Sequence, residues 1–570
     1  MNSDVADVLR REFGHDGLRD HQQAAISAVL QGRAAMVVLP TGGGKSLCFQ
    51  LPAVVLHRQG RGCAIVVSPL VALMQDQVDA LTRQGIKASF INATVPRRER
   101  QRRLDAMERG ELAMMYVVPE RFRRPAFRAA LERTDVSLVA IDEAHCISHW
   151  GHDFRPDYRL LGTFTKACTT VKGNPAPLIA LTATATPGVE SDIIDRLGMT
   201  DVVRIRAPVY RANLRLAVVG CHGITDKAEH IAELLKRIGG AAIIYTGLIA
   251  RGEKLRAELE ERGVHLRFYN GDLPAGPRKR LSRAFIAEDE PALLATNAFG
   301  MGIDRPDVRL IVHCEIPGAV ESWAQEIGRA GRDNGPSLCL ALLDDDDLAI
   351  HQQHVRNAHP DAATIVSVWE AIAEMNGVSA GWTEARFRQR FAGRDRRDHR
   401  AITAMRLLAS AGCIGGSFEG GDLHVLDEPS GELVDQSLID ARRLRGHERL
   451  LTMLALWRRR SCLWQGIAAH FGESLQGDEA CRACSADVGL ERLLEGLPHR
   501  HEPLAEREPP RRVDDLPYQV GDWIQVGKRM GQVARIGGRP QRRQLRVLMA
   551  DSMREERVIV HADGPSIRKL

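Results

Sequence analysis

The 570-residue sequence has no apolar run long enough to cross a bilayer, which excludes a helical membrane protein. Its first residues, Met1-Asn2-Ser3-Asp4-Val5, lack the basic start and apolar stretch of a secretory signal. Together these absences predict a cytoplasmic protein, nucleoid-associated in a bacterium, with no membrane partner. The 11 cysteines are scattered except for Cys462, Cys481 and Cys484, a distribution that argues against a disulfide framework. Neither sign of charge dominates, and a net +5 over this length only permits a polyanionic partner. Basic residues crowd 97–103, 394–400, 442–460 and 539–546, runs that are more commonly solvated faces. What remains, 44% hydrophobic and 26% charged residues, is the composition of a globular protein, and a prior of roughly 150 residues per domain gives three to five domains.

The most informative stretch is Leu39-Pro40-Thr41-Gly42-Gly43-Gly44-Lys45-Ser46, which follows the apolar run Met36-Val37-Val38 and leads into a helix-compatible segment. A glycine loop between strand and helix turns backbone N–H groups toward phosphate oxygens, with the helix dipole behind them. Lys45 would reach the terminal phosphates and Ser46 a magnesium ion. Leu39 stands where the strict phosphate-loop pattern has its first glycine, so these eight residues alone also read as a surface turn. Upstream, Gln22 offers an amide suited to an adenine edge, although a surface glutamine is the commoner case.

Beyond the loop, strands and helices alternate as in a parallel sheet covered on both faces. Runs at 64–67, 114–118, 137–141 and 178–181 read as buried strands, and the third ends in Asp142-Glu143-Ala144-His145. Ligands bind at that end of such sheets. A nucleotide hydrolase needs one carboxylate for magnesium and one for the attacking water, and Asp142 and Glu143 suit these roles in that order. The following loop carries Trp150, His152, Phe154 and Arg155, groups that stack on bases or on one another. Thr182 and Thr184 offer hydroxyls to bridge the acidic pair to the glycine loop. A second alternation is expected from Ala241, with strands at 266–269, 292–296 and 310–313. It has no phosphate loop of its own, but it carries Gln325-Glu326-Ile327-Gly328-Arg329-Ala330-Gly331-Arg332-Asp333. Arginines so displayed reach across a cleft to a transferring phosphate, an effect worth about 10³ to 10⁵ in rate.

With these residues assembled, the chain resembles the RecQ family of superfamily-two DNA helicases over about residues 10–345 and again near 445–487. The resemblance rests on ordered matches at 18–22, 41–46, 68–70, 118–121, 142–145, 181–184, 295–309 and 325–333. It implies two tandem RecA-like α/β domains, 1–208 and 209–350. It implies ATP and magnesium as ligands, with adenine read by Arg19 and Gln22, and phosphate held by Thr41, Gly42, Gly43, Gly44 and Lys45. Magnesium falls to Ser46 and Asp142, water activation to Glu143, and charge stabilisation to Gln325, Arg329 and Arg332. Gly302 and Asp304 match the motif touching nucleotide and nucleic acid. Ser68, Trp150, His152, Phe154 and Arg155 match the elements coupling DNA to hydrolysis. The implied function is 3′–5′ translocation on single-stranded DNA with unwinding of tailed duplexes in repair or recombination. The alternatives are a translocase without strand separation and an ATP-gated scaffold. Arg19-Asp20-His21 departs from the family's Arg-Pro-Gly, and Thr246-Gly247-Leu248-Ile249 from its Cys-Asn-Ser-Arg type.

In the last third, Cys481-Arg482-Ala483-Cys484 has the spacing of a metal knuckle, with Cys462 upstream. The family resemblance implies four cysteines around zinc, yet here the fourth position is Asp487, and His470 is the other candidate ligand. A degenerate, metal-free site is the alternative. Residues 351–440 suggest a winged-helix module of three helices and a hairpin, inserted before a helical zinc element at 441–490. A linker at 491–515 then leads to a small basic β domain, 516–570, that suits nucleic acid or a protein partner equally.

Overall fold

The computed structural model describes residues 3–500 apart from 70, 93, 149–157, 159–160, 288–290, 301–304, 376–381, 393–397, 419–420, 476–483 and 485–488. Beyond residue 500 it describes five strands. Among the described residues, no helix is long and apolar enough to cross a membrane.

The first sheet is built from β1 (Ala35–Val38), β2 (Cys63–Val67), β3 (Ala88–Ile91), β4 (Met114–Val117), β5 (Val136–Ile141), β6 (Leu178–Thr182) and β7 (Val203–Arg206). Its order is β3-β4-β2-β5-β6-β1-β7, with every neighbour parallel. Near-continuous apolar runs are what a sheet buried on both faces requires. Alternate residues divide between the faces. Val37, Val66, Tyr116 and Ala140 pack with the helices Ser3–Phe13, Asp20–Leu30 and Leu47–Arg58, while Met36, Val38, Ile65, Val67 and Ile141 join Leu104, Phe127 and Ile193 on the other side. In register, Val38 pairs with Thr182 and Ile141 with Val67, so the carboxyl ends of β1, β2, β5 and β6 form one edge.

The second sheet comprises β8 (Leu214–Gly220), β9 (Ala241–Tyr245), β10 (Arg267–Tyr269), β11 (Ala292–Ala295), β12 (Val308–His313) and β13 (Ser337–Leu343). It is again fully parallel, in the order β10-β11-β9-β12-β13-β8. It begins at Leu214 and not at Ala241. β8 is an edge strand whose Arg215 interrupts the apolar run, so its sequence lacks the signature of a central strand. The core of this sheet is completed from far along the chain. Leu450, Met453 and Trp457 of the helix Gln436–Trp457, and Trp464 and Ile467 of the helix Leu463–His470, pack with Leu214, Trp323 and Cys339.

Between these segments lie helices Ala362–Glu374, Glu384–Ala392 and Arg400–Ala411 and the antiparallel pair β14 (Ile414–Gly415) and β15 (His424–Val425). They share a separate core around Phe387, Ile372, Ala404 and Leu408. Residues 502–570 belong to a distinct compact unit. In it β16 (Trp523–Val526), β17 (Arg529–Arg539), β18 (Arg542–Met549), β19 (Glu555–Val560) and β20 (Ile567–Lys569) form an antiparallel sheet ordered β19-β18-β17-β16-β20.

Candidate active site

The glycine loop leaves β1 and enters the helix Leu47–Arg58. Leu39 is fully buried in the first core, so the place of the absent glycine is used for packing. Gly42 (φ 82°) and Gly44 (φ 78°) adopt conformations that side chains disfavour, and a Cβ on Gly43 would lie 2.9 Å from the Pro40 carbonyl oxygen. Three upstream side chains meet the loop's carbonyls in turn. Arg19 Nη1 donates to Gly42 O (3.4 Å), His21 Nε2 lies 3.3 Å from Gly43 O, and Gln22 Nε2 donates to Gly44 O (3.4 Å). Gln22 Oε1 accepts from the Arg19 N–H at 3.0 Å, so both ends of its amide are engaged. Lys45 Nζ donates to Leu39 O at 3.1 Å. Burial lowers its pKa, against the pull of Glu143 and Asp142. Ser46 Oγ accepts from Gln77 Nε2 at 3.4 Å.

Asp142 and Glu143 leave β5 at the same edge, both buried. Burial, reinforced by Glu143 and opposed by Lys45, pushes the Asp142 carboxyl up to about 7. Glu143 is one of few non-glycine residues with positive φ (49°), and its N–H donates to Asp142 Oδ1 at 3.0 Å. Its Oε2 lies 3.3 Å from His145 Nδ1, which also meets Thr182 Oγ1 at 2.9 Å. The Thr182 hydroxyl donates to Thr184 O (3.2 Å), which leaves its oxygen to accept from a protonated Nδ1. Among the described residues the Thr184 hydroxyl and Glu143 Oε2 are buried without a hydrogen-bond partner, so the two threonines do not form the expected bridge from the acidic pair to the glycine loop. Ser68 is buried at the end of β2.

The second sheet contributes the remaining groups. Gly42 faces Arg332, whose Cγ would lie 3.3 Å from a Cβ there, and Thr41 packs on Gly328 in the same way at 3.2 Å. Arg332 is close enough to bear on the Lys45 ammonium. Arg329 takes another direction: it is buried, donates to the Gly300 carbonyl and sits beside Tyr245. Gln325 lines a cleft of about 570 Å³ in the second lobe with Arg329, His313, Glu326 and His351.

Sequence reasoning passed over the supports. Arg211 Nη1 donates to Gly328 O (3.1 Å), and Asn213 Nδ2 donates to Gly331 O (2.8 Å) and Gly335 O (2.9 Å), fixing the arginine-bearing turn. Tyr158 OH donates to the Asp142 carbonyl at 3.1 Å. The segment Tyr210-Arg211-Ala212-Asn213, dense in donors before β8, was the available signal. Trp150, His152, Phe154, Arg155, Gly302 and Asp304 lie outside the described residues, as do Cys481 and Asp487. Cys462 and Cys484 are both buried in the core of the second sheet. His470 is paired with Glu321 (2.9 Å).

Residues 19–192 match the family model for DEAD/DEAH box helicases, and 226–334 that for the helicase conserved C-terminal domain. The chain is 33% identical over 489 residues to the probable ATP-dependent DNA helicase RecS of Bacillus subtilis (strain 168), covering 85% of this chain and 92% of that protein. It is 38% identical over 347 residues to the ATP-dependent DNA helicase RecQ of the same organism, covering 60% of this chain and 57% of the relative. With the ATP-dependent helicase SGS1 of Saccharomyces cerevisiae (strain ATCC 204508 / S288c) the identity is 36% over 355 residues, which is 61% of this chain and 24% of the relative. The fold is similar to the DUF1998 helicase MrfA bound to DNA (TM-score 0.51, 18% identity, 75% of this chain and 63% of that one). It is also similar to the DEAD-box helicase Mss116 bound to single-stranded RNA (TM-score 0.52, 14% identity, 82% and 95%).

Proposed function

Since this chain belongs to the RecQ-type ATP-dependent DNA helicases, we propose that its two sheets close on ATP and reopen after hydrolysis, moving 3′ to 5′ along single-stranded DNA and parting a tailed duplex. The observation that carries this reading is the composite site. Lys45, Asp142 and Glu143 come from one sheet, and Arg332 of the other rests on Gly42 of the same loop. In this reading Thr41, the three glycines and Lys45 hold the phosphates, and Arg19 and Gln22 hold the adenine. Releasing the Gln22 amide from Gly44 O would couple adenine binding to the loop. Ser46 and Asp142 would hold magnesium, which would supply charge neutralisation on the phosphate oxygens. The acid-and-hydroxyl donor set fits a hard cation. Glu143, oriented by His145, takes the water's proton. Trp150, His152, Phe154 and Arg155, with Ser68, Gly302 and Asp304, report bound DNA to this site.

Zinc in the carboxyl-terminal region is part of the same proposal. Cys462 and Cys484 are buried in one core, as structural ligands are, and Cys481 and Asp487 would complete a tetrahedral set. Repair or recombination of DNA is the process such an activity serves.

The test is hydrolysis and unwinding by the purified chain. Single-stranded DNA should stimulate hydrolysis more than RNA, Lys45→Ala and Glu143→Gln should abolish it, and a duplex with a 3′ tail should open in preference to one with a 5′ tail. Stimulation without any strand separation would leave a translocase. Hydrolysis indifferent to nucleic acid would overturn the reading.

A further inference from the structure

The carboxyl end of the edge strand β8 carries a second group of ligating side chains, and none of them belongs to the nucleotide site. One donor atom from each of Cys221, Asp226 and His230 lies within 4.8 Å of the others, the one such grouping of three found among the described residues. We propose that these three residues bind a divalent transition-metal ion, with zinc the best chemical match, as a clip between β8 and the helix Gly223–Arg237.

The backbone sets the geometry. Cys221 N–H donates to the Leu343 carbonyl at 2.8 Å, continuing the β8–β13 ladder past the strand's end. Gly223 (φ 79°) then turns the chain straight into the helix, and its N–H is held by Asp344 Oδ2 at 2.8 Å. Asp226 and His230 are four residues apart on that helix and so share a face. Asp226 Oδ2 accepts from the His222 N–H at 2.9 Å, which orients the carboxylate and leaves Oδ1 3.4 Å from His230 Nε2. Cys221 is 3% exposed, whereas the side chains of His230 and Asp226 are about one-third exposed, so a bound ion would have protein on one side and water at its open position.

The donor types select the ion. One thiolate, one imidazole and one carboxylate suit zinc, while magnesium and calcium favour all-oxygen sets. Binding forms the metal–sulfur bond and releases the thiol proton to solvent. The competing account is an ordinary ion pair, His230 with Asp226, beside a buried thiol, and metal stoichiometry separates the two.

The experiment uses the full chain, stripped by chelation and reloaded with Zn²⁺ or Co²⁺, alongside Cys221→Ser, His230→Ala and, to mark the Cys462 site, Cys462→Ser. The parent should bind one more equivalent of zinc than Cys221→Ser or His230→Ala. Its cobalt form should show a thiolate charge-transfer band that persists in Cys462→Ser and is lost from the double variant Cys221→Ser/Cys462→Ser. Reloading should raise the melting temperature of the parent more than that of His230→Ala. Should Cys221→Ser fail to fold, His230→Ala decides alone, because it alters a partly exposed helix face. Zinc content and cobalt spectrum equal to the parent's in His230→Ala, or in a folded Cys221→Ser, would overturn the site.

Discussion

The two arginines of the Gly328–Asp333 turn have the same chemistry and different surroundings, and a substitution should separate them. Arg332 lies over Gly42 of the glycine loop, so Arg332→Ala should reduce kcat by about 10³-fold or more with little change in melting temperature. Arg329 is buried against the Gly300 carbonyl, so Arg329→Ala should cost about 1.5–3 kcal/mol of stability as well as activity. Steady-state kinetics beside thermal melts would show whether the effects divide this way. The sequence made both arginines legible as a pair, but it could not divide their tasks, because Gly300 lies 29 residues away and meets Arg329 only in the folded lobe. The same holds for His351, an unremarkable helix residue in sequence. It is buried in the second-lobe cleft, and burial with His354 and Arg251 nearby pushes it down to about 4. Its folded-state pKa lies below the unfolded value, so the unfolded chain binds the extra proton between about pH 6.5 and 4. Stability therefore falls as pH drops through that window, by about 2 kcal/mol between pH 7 and 5 from this group. His351→Gln should flatten that part of the stability curve in denaturant titrations at the two pH values.

At the scale of elements, most strands legible in sequence were central ones, although the edge strand β10 was among them and the interior strand β13 was not. β1, β2 and β9 are buried on both faces and read as unbroken apolar runs, while β5, β6 and β12 are buried almost throughout and carry one or two polar residues each. The edge strands β3, β7 and β8 are mixed in composition, since one side of each is half-solvated, and no periodic signal marks them. The turn after the helix Val320–Ile327 was legible as glycine and arginine, but not as a fixed object. Its rigidity comes from Asn213 at the start of the second lobe and from Gly331, whose φ is 52°. A Cβ on Gly331 would stand 2.5 Å from Asn213 Nδ2 and 2.6 Å from the Gly335 oxygen, and neither the amide nor the backbone has room to yield. Gly331→Ala should therefore displace Arg332, lowering kcat sharply and costing about 1–3 kcal/mol. Asn213→Ala, which keeps the backbone and loses only two hydrogen bonds, should cost less stability, about 1–2 kcal/mol, and show a milder loss in kcat. Equal behaviour of the two variants would mean that the turn is held by something else.

At the scale of the molecule, what looked in sequence like successive modules is partly one body. The helices that follow the winged-helix-like segment return to the second sheet, and Trp464, 1% exposed, donates through Nε1 to the Leu214 carbonyl at 3.1 Å and meets Tyr210 edge-on at 5.3 Å. A few residues on, Glu473 accepts from the Val209 N–H at 2.9 Å, and Arg206 beside it is held at 2.7 Å by Glu190 of the first lobe. The connection between the two sheets is thus gripped from the carboxyl-terminal side. No local pattern announces this, because Trp464 and Leu214 are 250 residues apart. Two truncations test it. Ending the chain after residue 345 keeps every strand of both sheets but strips Leu450, Met453, Trp457, Trp464 and Ile467 from the second core. Loss of one buried tryptophan alone costs about 3–5 kcal/mol, a large part of a domain's stability of about 5–15 kcal/mol. The shortened chain should therefore expose apolar surface, bind a hydrophobic dye and aggregate. Ending after residue 500 removes only the separate compact unit and should leave the melting temperature of the remainder and its nucleic-acid-stimulated hydrolysis near those of the full chain. If the 345-residue fragment instead melted cooperatively at the same temperature as the 500-residue one, the carboxyl-terminal helices would be ornaments on a finished motor and not part of its core.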